Sequence, residues 1–272
     1  MLITKSEWDT LLKAKKEGLK KLKIKLDFGL KEAEVKISDD YFLINKCKIP
    51  LKEKVKENFC YLVKRNKLLP VAFFSKKRNR FYKLLPTADL PTLCIGSVPM
   101  HKIKESSPLK DVYNKIRFLK IRGKVLDTCC GLGYTAIFAS QNAEKVYTFE
   151  EDENVVFLAK LNPIKDNLFK NEKIIFKKAD VFKEIKKFPN EFFDCIIHDP
   201  PTFKLAPLLY SLEFYNELYR VLKKGGDLYH YSPLPQKTKG KDFSKTIEKN
   251  LKRAGFKRIR FNSVSQGFYC SK

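Results

Sequence analysis

One stretch constrains the fold more than any other: Val125-Leu126-Asp127-Thr128-Cys129-Cys130-Gly131-Leu132-Gly133-Tyr134-Thr135-Ala136. The apolar run from Lys124 to Leu126 reads as a short buried strand, and Ala136-Ile137-Phe138-Ala139 reads as a helix. The two glycines between them permit torsions that a Cβ forbids and let the backbone approach a ligand closely. The first N–H groups of a helix have no partner within it and point into the crevice beyond the strand. Strand, glycine turn and helix in that order predict a nucleotide-type pocket at the carboxyl end of a first parallel strand.

The turn reads Asp-x-Cys-Cys-Gly-x-Gly, not Gly-x-Gly-x-x-Gly. A carboxylate at the strand end would repel a pyrophosphate; it suits a cationic ligand, or one offering an amino group. Strand–helix alternation continues regularly after it. Residues 145–150 form a second strand ending in Glu150, 23 residues after Asp127, where an acid can accept both ribose hydroxyls of an adenosine. A helix follows over 152–161, then a third strand over 173–176 and the segment Ala179-Asp180-Val181-Phe182. A fourth strand, 193–198, runs into Asp199-Pro200-Pro201-Thr202-Phe203. A helix over 207–222, a fifth strand over 227–231 and a helix over 243–254 precede a final antiparallel pair, 257–261 with 267–270.

This succession resembles the class I S-adenosylmethionine (SAM) methyltransferases. The resemblance implies an α/β, Rossmann-like, seven-stranded catalytic domain over residues 107–272, with SAM as cofactor. By that likeness, Asp127, Cys129, Gly131, Gly133, Tyr134 and Thr135 form the cofactor loop. Glu150 and Glu151 then serve the ribose, and Asp180 and Val181 the adenine. Ser107-Pro108 starts the leading helix, with serine as cap, proline at its first position, and Val112, Ile116 and Leu119 as its apolar stripe. His101, just ahead of it, is expected near the pocket mouth.

Asp199-Pro200-Pro201 carries the information about the reaction. Two prolines remove two N–H donors and fix two φ angles. The turn therefore offers acceptors, namely the Asp199 carboxylate and the carbonyls of Asp199 and Pro200. Such a site suits an amino group that donates two hydrogens and turns its lone pair toward the methyl donor. The motif is similar to the (Asn/Asp/Ser)-Pro-Pro-aromatic motif of methyltransferases acting on adenine N6, cytosine N4, guanine N2 or glutamine. The family has its aromatic directly after the second proline; here that place is Thr202, and Phe203 is assigned the stacking role from one position later. A more specific resemblance, to a group of archaeal predicted methyltransferases, implies N4-methylation of cytidine in small-subunit (16S) ribosomal RNA. Transfer RNA guanosine N2 or adenosine N6 remain alternatives. So does aminopropyl transfer of the spermidine-synthase type, although that type prefers a paired-acid motif after the fourth strand. C5-methylation of cytosine needs a cysteine facing the base, and none of Cys129, Cys130 and Cys195 is so placed.

Charge bears on the partner. The chain has 56 Lys+Arg against 31 Asp+Glu, a formal +25. Residues 1–106 hold 25 basic and 12 acidic residues, the denser share of the excess. Such a balance favours a polyanion, RNA first. These residues read as a basic, smaller α+β domain ahead of the catalytic one. It begins with a helix capped by Ser6 and carrying Trp8, Leu11, Leu12 and Leu19. A hairpin follows, with its tip at Lys64-Arg65-Asn66-Lys67 and its second arm at 71–74. Lys76, Lys77, Arg78 and Arg80, interleaved with Phe81 and Tyr82, are the expected RNA contacts. No run approaches eighteen apolar residues and the start lacks a signal-peptide core, so no membrane partner and a cytoplasmic setting are expected. Seven cysteines without a Cys-x-x-Cys pair predict reduced thiols and no metal.

Overall fold

A computed structural model describes residues 1–233 and 243–272. The chain divides into two compact units: residues 1–108 with 157–164, and residues 109–156 with 165–272.

The first unit contains β1 (Leu2–Ile3), α1 (Lys5–Lys16), β2 (Lys21–Leu26), β3 (Lys31–Ile37), β4 (Tyr41–Ile44), β5 (Cys47–Pro50), β6 (Tyr61–Lys64), β7 (Lys67–Pro70), β8 (Ala72–Ser75), β9 (Arg80–Leu85), β10 (Thr92–Ile95) and β11 (Val98–Pro99). The strands form three antiparallel sheets, ordered β1-β6-β7, β2-β3-β4-β5 and β11-β10-β9-β8. Trp8 and Leu11 of α1 bury themselves against Val35, Phe42 and Ile44, with the Trp8 and Phe42 rings edge to face at 5.2 Å. The α1 cap is Thr4, not Ser6: Glu7 reaches back to accept the Thr4 N–H at 2.9 Å, a capping box two residues earlier than expected. Leu19 lies beyond the helix end and is exposed.

The hairpin tip at 64–67 forms as expected, with Arg65 and Asn66 at φ 53° and 59°. Positive φ at both positions makes a type I′ turn, which fixes a two-residue loop. The returning arm must then start at Lys67, so it is β7 and not 71–74. Residues 72–75 open the next hairpin instead, which turns through Lys76-Lys77-Arg78-Asn79 into β9.

The second unit is built on α2 (Pro108–Ile116), β12 (Lys124–Asp127), α3 (Tyr134–Ala139), β13 (Lys145–Phe149), the start of α4 (Glu153–Ala159, whose residues from 157 on are counted with the first unit), α5 (Lys165–Phe169), β14 (Ile174–Lys177), α6 (Val181–Glu184), β15 (Phe193–His198), α7 (Leu212–Val221), β16 (Leu222–Tyr231), α8 (Phe243–Ala254), β17 (Lys257–Asn262) and β18 (Gly267–Ser271). Its seven-stranded sheet runs β14-β13-β12-β15-β16-β18-β17. The first five are parallel, and β18 pairs antiparallel with both β16 and β17. This is the α/β, Rossmann-like architecture that the sequence predicts. Helix 207–222 is broken: a 3₁₀ turn over Pro207–Tyr210 gives way to α7, because the Ser211 side chain accepts the Phe214 N–H at 3.1 Å and starts a new helix. The short helix α5 was not foreseen.

Strand order places the chemistry. The chain moves from β12 to β13 and β14 on one side, then returns to β15 on the other. The crevice beyond the carboxyl ends of β12 and β15 is the topological switch point, where parallel sheets bind their ligands. Both sequence motifs end there, since Asp127 pairs in register with Ile197, two residues before Asp199.

Candidate active site

The glycine turn is held from below. Asp127 has no exposed surface, and its two carboxylate oxygens take the hydroxyls of Thr135 at 3.0 Å and Thr148 at 2.7 Å. Burial pushes its pKa up to about 7, against the pull of those two hydroxyls. Asp127 therefore clamps the turn to α3 and β13 instead of facing a ligand, which corrects its expected contact role. Gly131 and Gly133 sit at φ 55° and 88°, the left-handed region that favours glycine. A Cβ on Gly133 would come within 2.6 Å of Leu168, whereas one on Gly131 would meet nothing within 4 Å. The room for a ligand is thus on the Gly131 side.

Glu150 borders that room. Its Oε2 accepts the Gly131 N–H at 3.1 Å and its Oε1 accepts the Asp152 N–H at 3.0 Å. A carboxylate has about four lone-pair sites. Two remain, the number a ribose diol needs. Burial raises the Glu150 pKa to about 7, with the two backbone N–H groups opposing and the Asp152 and Glu151 charges adding to it. Cys129 is half-buried in the same turn; burial raises its thiol pKa well above the ordinary value, so it stays a neutral thiol. Tyr134 and Thr135 are buried in the first turn of α3, Thr135 as a ligand of Asp127. Asp180 caps α6 by accepting the Phe182 N–H at 2.9 Å, with Val181 buried behind it, and Glu151 is exposed. These residues offer a diol acceptor and open space over Gly131 at the start of α3, a set that fits an adenosyl amino acid.

Asp199 is not the free acceptor that the sequence suggests. Lys115, on α2, donates to its Oδ2 at 2.7 Å and also pairs with Asp111 at 2.9 Å. Lys115 and Asp111 are almost wholly buried, while the Asp199 side chain keeps 18% of its surface open. Burial would lower the Lys115 pKa, but the two carboxylates outweigh it and the net shift is upward, so the ammonium is permanent. Burial raises the Asp199 pKa and Lys115 restrains it. With Oδ2 occupied, Oδ1 is the acceptor left for a substrate.

The proline turn has its own anchor. The Tyr210 hydroxyl donates to the Pro201 carbonyl at 2.9 Å, leaving the Pro200 carbonyl nearby at 3.5 Å. Acceptors alone therefore describe the backbone of the turn but not the site, which also contains the Lys115 and Tyr210 donors. Phe203 is 47% exposed and packs edge-on against Tyr210 at 5.8 Å and Phe243 at 5.0 Å. Beneath the turn, His198 bonds Thr128 at 2.8 Å and the Leu209 carbonyl at 2.9 Å, and lies edge-on to His230 at 4.6 Å. Burial lowers both imidazole pKa values, that of His230 to about 4, so both rings are neutral.

Lys115, Asp111, Tyr210 and the two histidines were missed from sequence. A lysine and an aspartate four apart on the apolar helix 108–116 were the visible signal for the first two. Lys76, Lys77, Arg78 and Arg80 lie in and beside the β8–β9 turn of the first unit. Phe81 is exposed, but Tyr82 is completely buried and cannot stack on a base. His101 also belongs to the first unit, where its Nδ1 bonds the Thr92 hydroxyl at 2.8 Å. Among the described residues no group of three or more His, Cys, Asp or Glu is arranged to hold a metal, and no helix is long and apolar enough to cross a membrane.

Residues 113–258 match the family model described as the methyltransferase small domain. An uncharacterised protein of Methanocaldococcus jannaschii is 45% identical over 208 residues, covering 75% of this chain and 70% of that protein. Among solved structures, spermidine synthase from Thermotoga maritima superposes with a TM-score of 0.60 at 20% identity, over 82% of each chain. A protein from Aquifex aeolicus described as MNMC2 gives 0.51 at 18% identity, over 70% of each chain. At these identities the structural likeness speaks for the fold alone.

Proposed function

The chain belongs to the methyltransferase small domain family and takes S-adenosylmethionine as its cofactor, and from that premise we propose that it methylates an exocyclic base amine of RNA. Cytidine N4 of small-subunit ribosomal RNA is the favoured acceptor, ahead of transfer RNA guanosine N2 and adenosine N6, in a cytoplasmic setting. One observation carries the reading. Asp199, just past the end of β15, presents one carboxylate oxygen with no partner among the described residues, at the switch point beyond the neighbouring β12, in a turn whose two prolines supply no N–H.

When bound, the cofactor supplies an electrophilic methyl group, which the amine nitrogen takes as the sulfur–carbon bond breaks and a proton leaves the nitrogen. The chain contributes position. Asp199 Oδ1 and the Pro200 carbonyl accept the two N–H bonds of the amine and aim its lone pair. Lys115 fixes the Asp199 rotamer and opposes the upward push of burial on its pKa. Phe203 offers an aromatic face to the base. Orientation of this kind can supply effective molarities of about 10⁵–10⁸ M.

Nucleoside mass spectrometry of RNA methylated in vitro tests this. A methyl on an exocyclic amine is expected. A methyl on C5, on a ribose oxygen or on a protein side chain would overturn it. Asp199→Asn puts an NH₂ where the amine needs an acceptor, a mismatch of about 1–3 kcal/mol. Turnover should fall roughly 5- to 150-fold with SAM affinity unchanged. Phe203→Ala should weaken RNA binding by about 1–3 kcal/mol.

Aminopropyl transfer to a small amine is the second reading. The fold, which is shared with spermidine synthase over 82% of each chain, is compatible with it. Decarboxylated SAM offered with small polyamines separates the two: turnover there, without RNA methylation, selects aminopropyl transfer.

A further inference from the structure

The first unit contains an open groove of about 720 Å³, whose lining includes Lys52, Lys54, Lys56, Phe59, Tyr61 and Phe81. Its composition is not that of an ordinary surface dent. Along residues 52–56 burial alternates, so Lys52, Lys54 and Lys56 are exposed while Val55 is buried. Among the described residues none of these three lysines is held in an ion pair. A fourth, Lys83, places its ammonium 4.9 Å from the centre of the Phe59 ring and donates to the Asn58 carbonyl at 3.2 Å. The lining includes one acid, Glu53.

The aromatic side of the groove is equally specific. On the β8–β9 hairpin Phe74 pairs in register with Phe81, and Ala72 with Lys83. Side chains alternate across a strand, so these four share one face. The opposite face carries Phe73 and Tyr82, stacked on one another at 5.7 Å, with Tyr82 fully buried. The fold thus buries Tyr82, half-buries Phe73 and leaves Phe81 and Phe74 at 37% and 56% exposure on the groove side. Exposed rings beside unpaired ammonium groups are the two parts of a single-strand nucleic-acid platform: cations follow the phosphates, and bases stack on the rings whatever their sequence.

We propose that this groove binds single-stranded RNA, with Lys52, Lys54 and Lys56 on the backbone and Phe81 under a base. The site is distinct from the Lys76–Arg80 turn that sequence alone suggested. It rests on the RNA reading above for its occasion, while its geometry belongs to the first unit alone. An extended strand suits it better than a duplex, because paired bases cannot offer their faces to Phe81.

Fluorescence anisotropy with the full-length chain and a labelled twelve-nucleotide oligouridine tests the assignment, beside a duplex of equal length. The triple variant Lys52→Gln, Lys54→Gln, Lys56→Gln should reduce the slope of log K against log salt by about 2, at about 0.7 per contact. Phe81→Ala should bind the single strand roughly 5- to 150-fold more weakly and leave the duplex unchanged. The set Lys76→Gln, Lys77→Gln, Arg78→Gln, Arg80→Gln should disturb binding less than the triple variant. Wild-type slope and affinity in the groove variants, or no oligonucleotide binding by the wild type, overturns the proposal. Equal losses on duplex and single strand would also overturn it. Methylation is read separately. RNA methylated with unchanged KM by the groove variants refutes the groove and spares the proposed reaction. Oligouridine binding lost in the variants, without methylation of any RNA, does the reverse.

Discussion

The ammonium of Lys115 donates to Oδ2 of Asp199 at 2.7 Å, joining the helix that leads into the second unit to the turn that ends its fourth strand. Removing one partner of a buried pair leaves the other's charge without compensation, at a cost of about 3–5 kcal/mol. Lys115→Met should therefore lower stability by that amount and raise the Asp199 pKa, moving the acid limb of the pH–rate profile upward. Adding Asp111→Asn should restore part of the stability. A Lys115→Met protein with wild-type melting and profile would show that the pair has no such role.

Glu150 gives the cofactor site a pH dependence. With a pKa of about 7 it is largely protonated at pH 6, when one oxygen becomes a donor and can no longer accept a ribose hydroxyl. SAM affinity should weaken as pH falls from 8 to 6. Glu150→Gln should bind weakly throughout and show little slope. Calorimetry across that range decides it, and a wild-type affinity indifferent to pH would remove Glu150 from the ribose.

Asp127 should mark the stability curve. Its folded pKa of about 7 exceeds the ordinary 3.8, so the native state holds the proton more tightly than the unfolded chain. Ionising it as pH rises through that window costs stability, about 4 kcal/mol for a shift of roughly three units. Asp127→Asn escapes this cost. The stability of the variant relative to wild type should thus improve by about that much between pH 4 and pH 8 in urea titrations. A pH-independent difference would refute the shift.

The two glycines should fail differently. Gly131→Ala adds only left-handed strain, about 1–2 kcal/mol, because its Cβ meets nothing in the protein. Gly133→Ala carries the same strain and also pushes on the buried Leu168. Thermal melts should rank Gly133→Ala below Gly131→Ala. Gly131→Val should lose SAM affinity out of proportion to its stability, since its side chain enters the open space. The opposite ranking would show that Leu168 gives way to the added Cβ, and unchanged SAM affinity in Gly131→Val would remove the ligand from the Gly131 side.

The sequence by itself determined the α/β class of the second unit, but not that residues 157–164 join the first. Apolar runs alternating with helices imply parallel strands, with the last two runs as an antiparallel pair, and glycine turns and acids at strand ends could be read one strand at a time, because each depends on residues a few positions apart. The positions of Asp127, Gly131, Gly133, Glu150 and Asp199, at strand ends and in the turn that follows, could be read for that reason. Their partners could not. Lys115 lies 84 residues from Asp199, and His198 and His230 become neighbours only because β15 pairs with β16. A lone lysine or histidine in a chain carries no mark of burial, and burial is what fixes its charge. The same holds for Asp127, which reads as a ligand contact until Thr135 and Thr148 close around both its oxygens. In the first unit the tertiary structure decided more still. The strand residues 72–75 and 80–83 show only alternation, and pairing alone set Tyr82 into the core and Phe81 beside the lysines. Register in a sheet is chosen by which face can be buried, a property of the assembled fold and not of either strand.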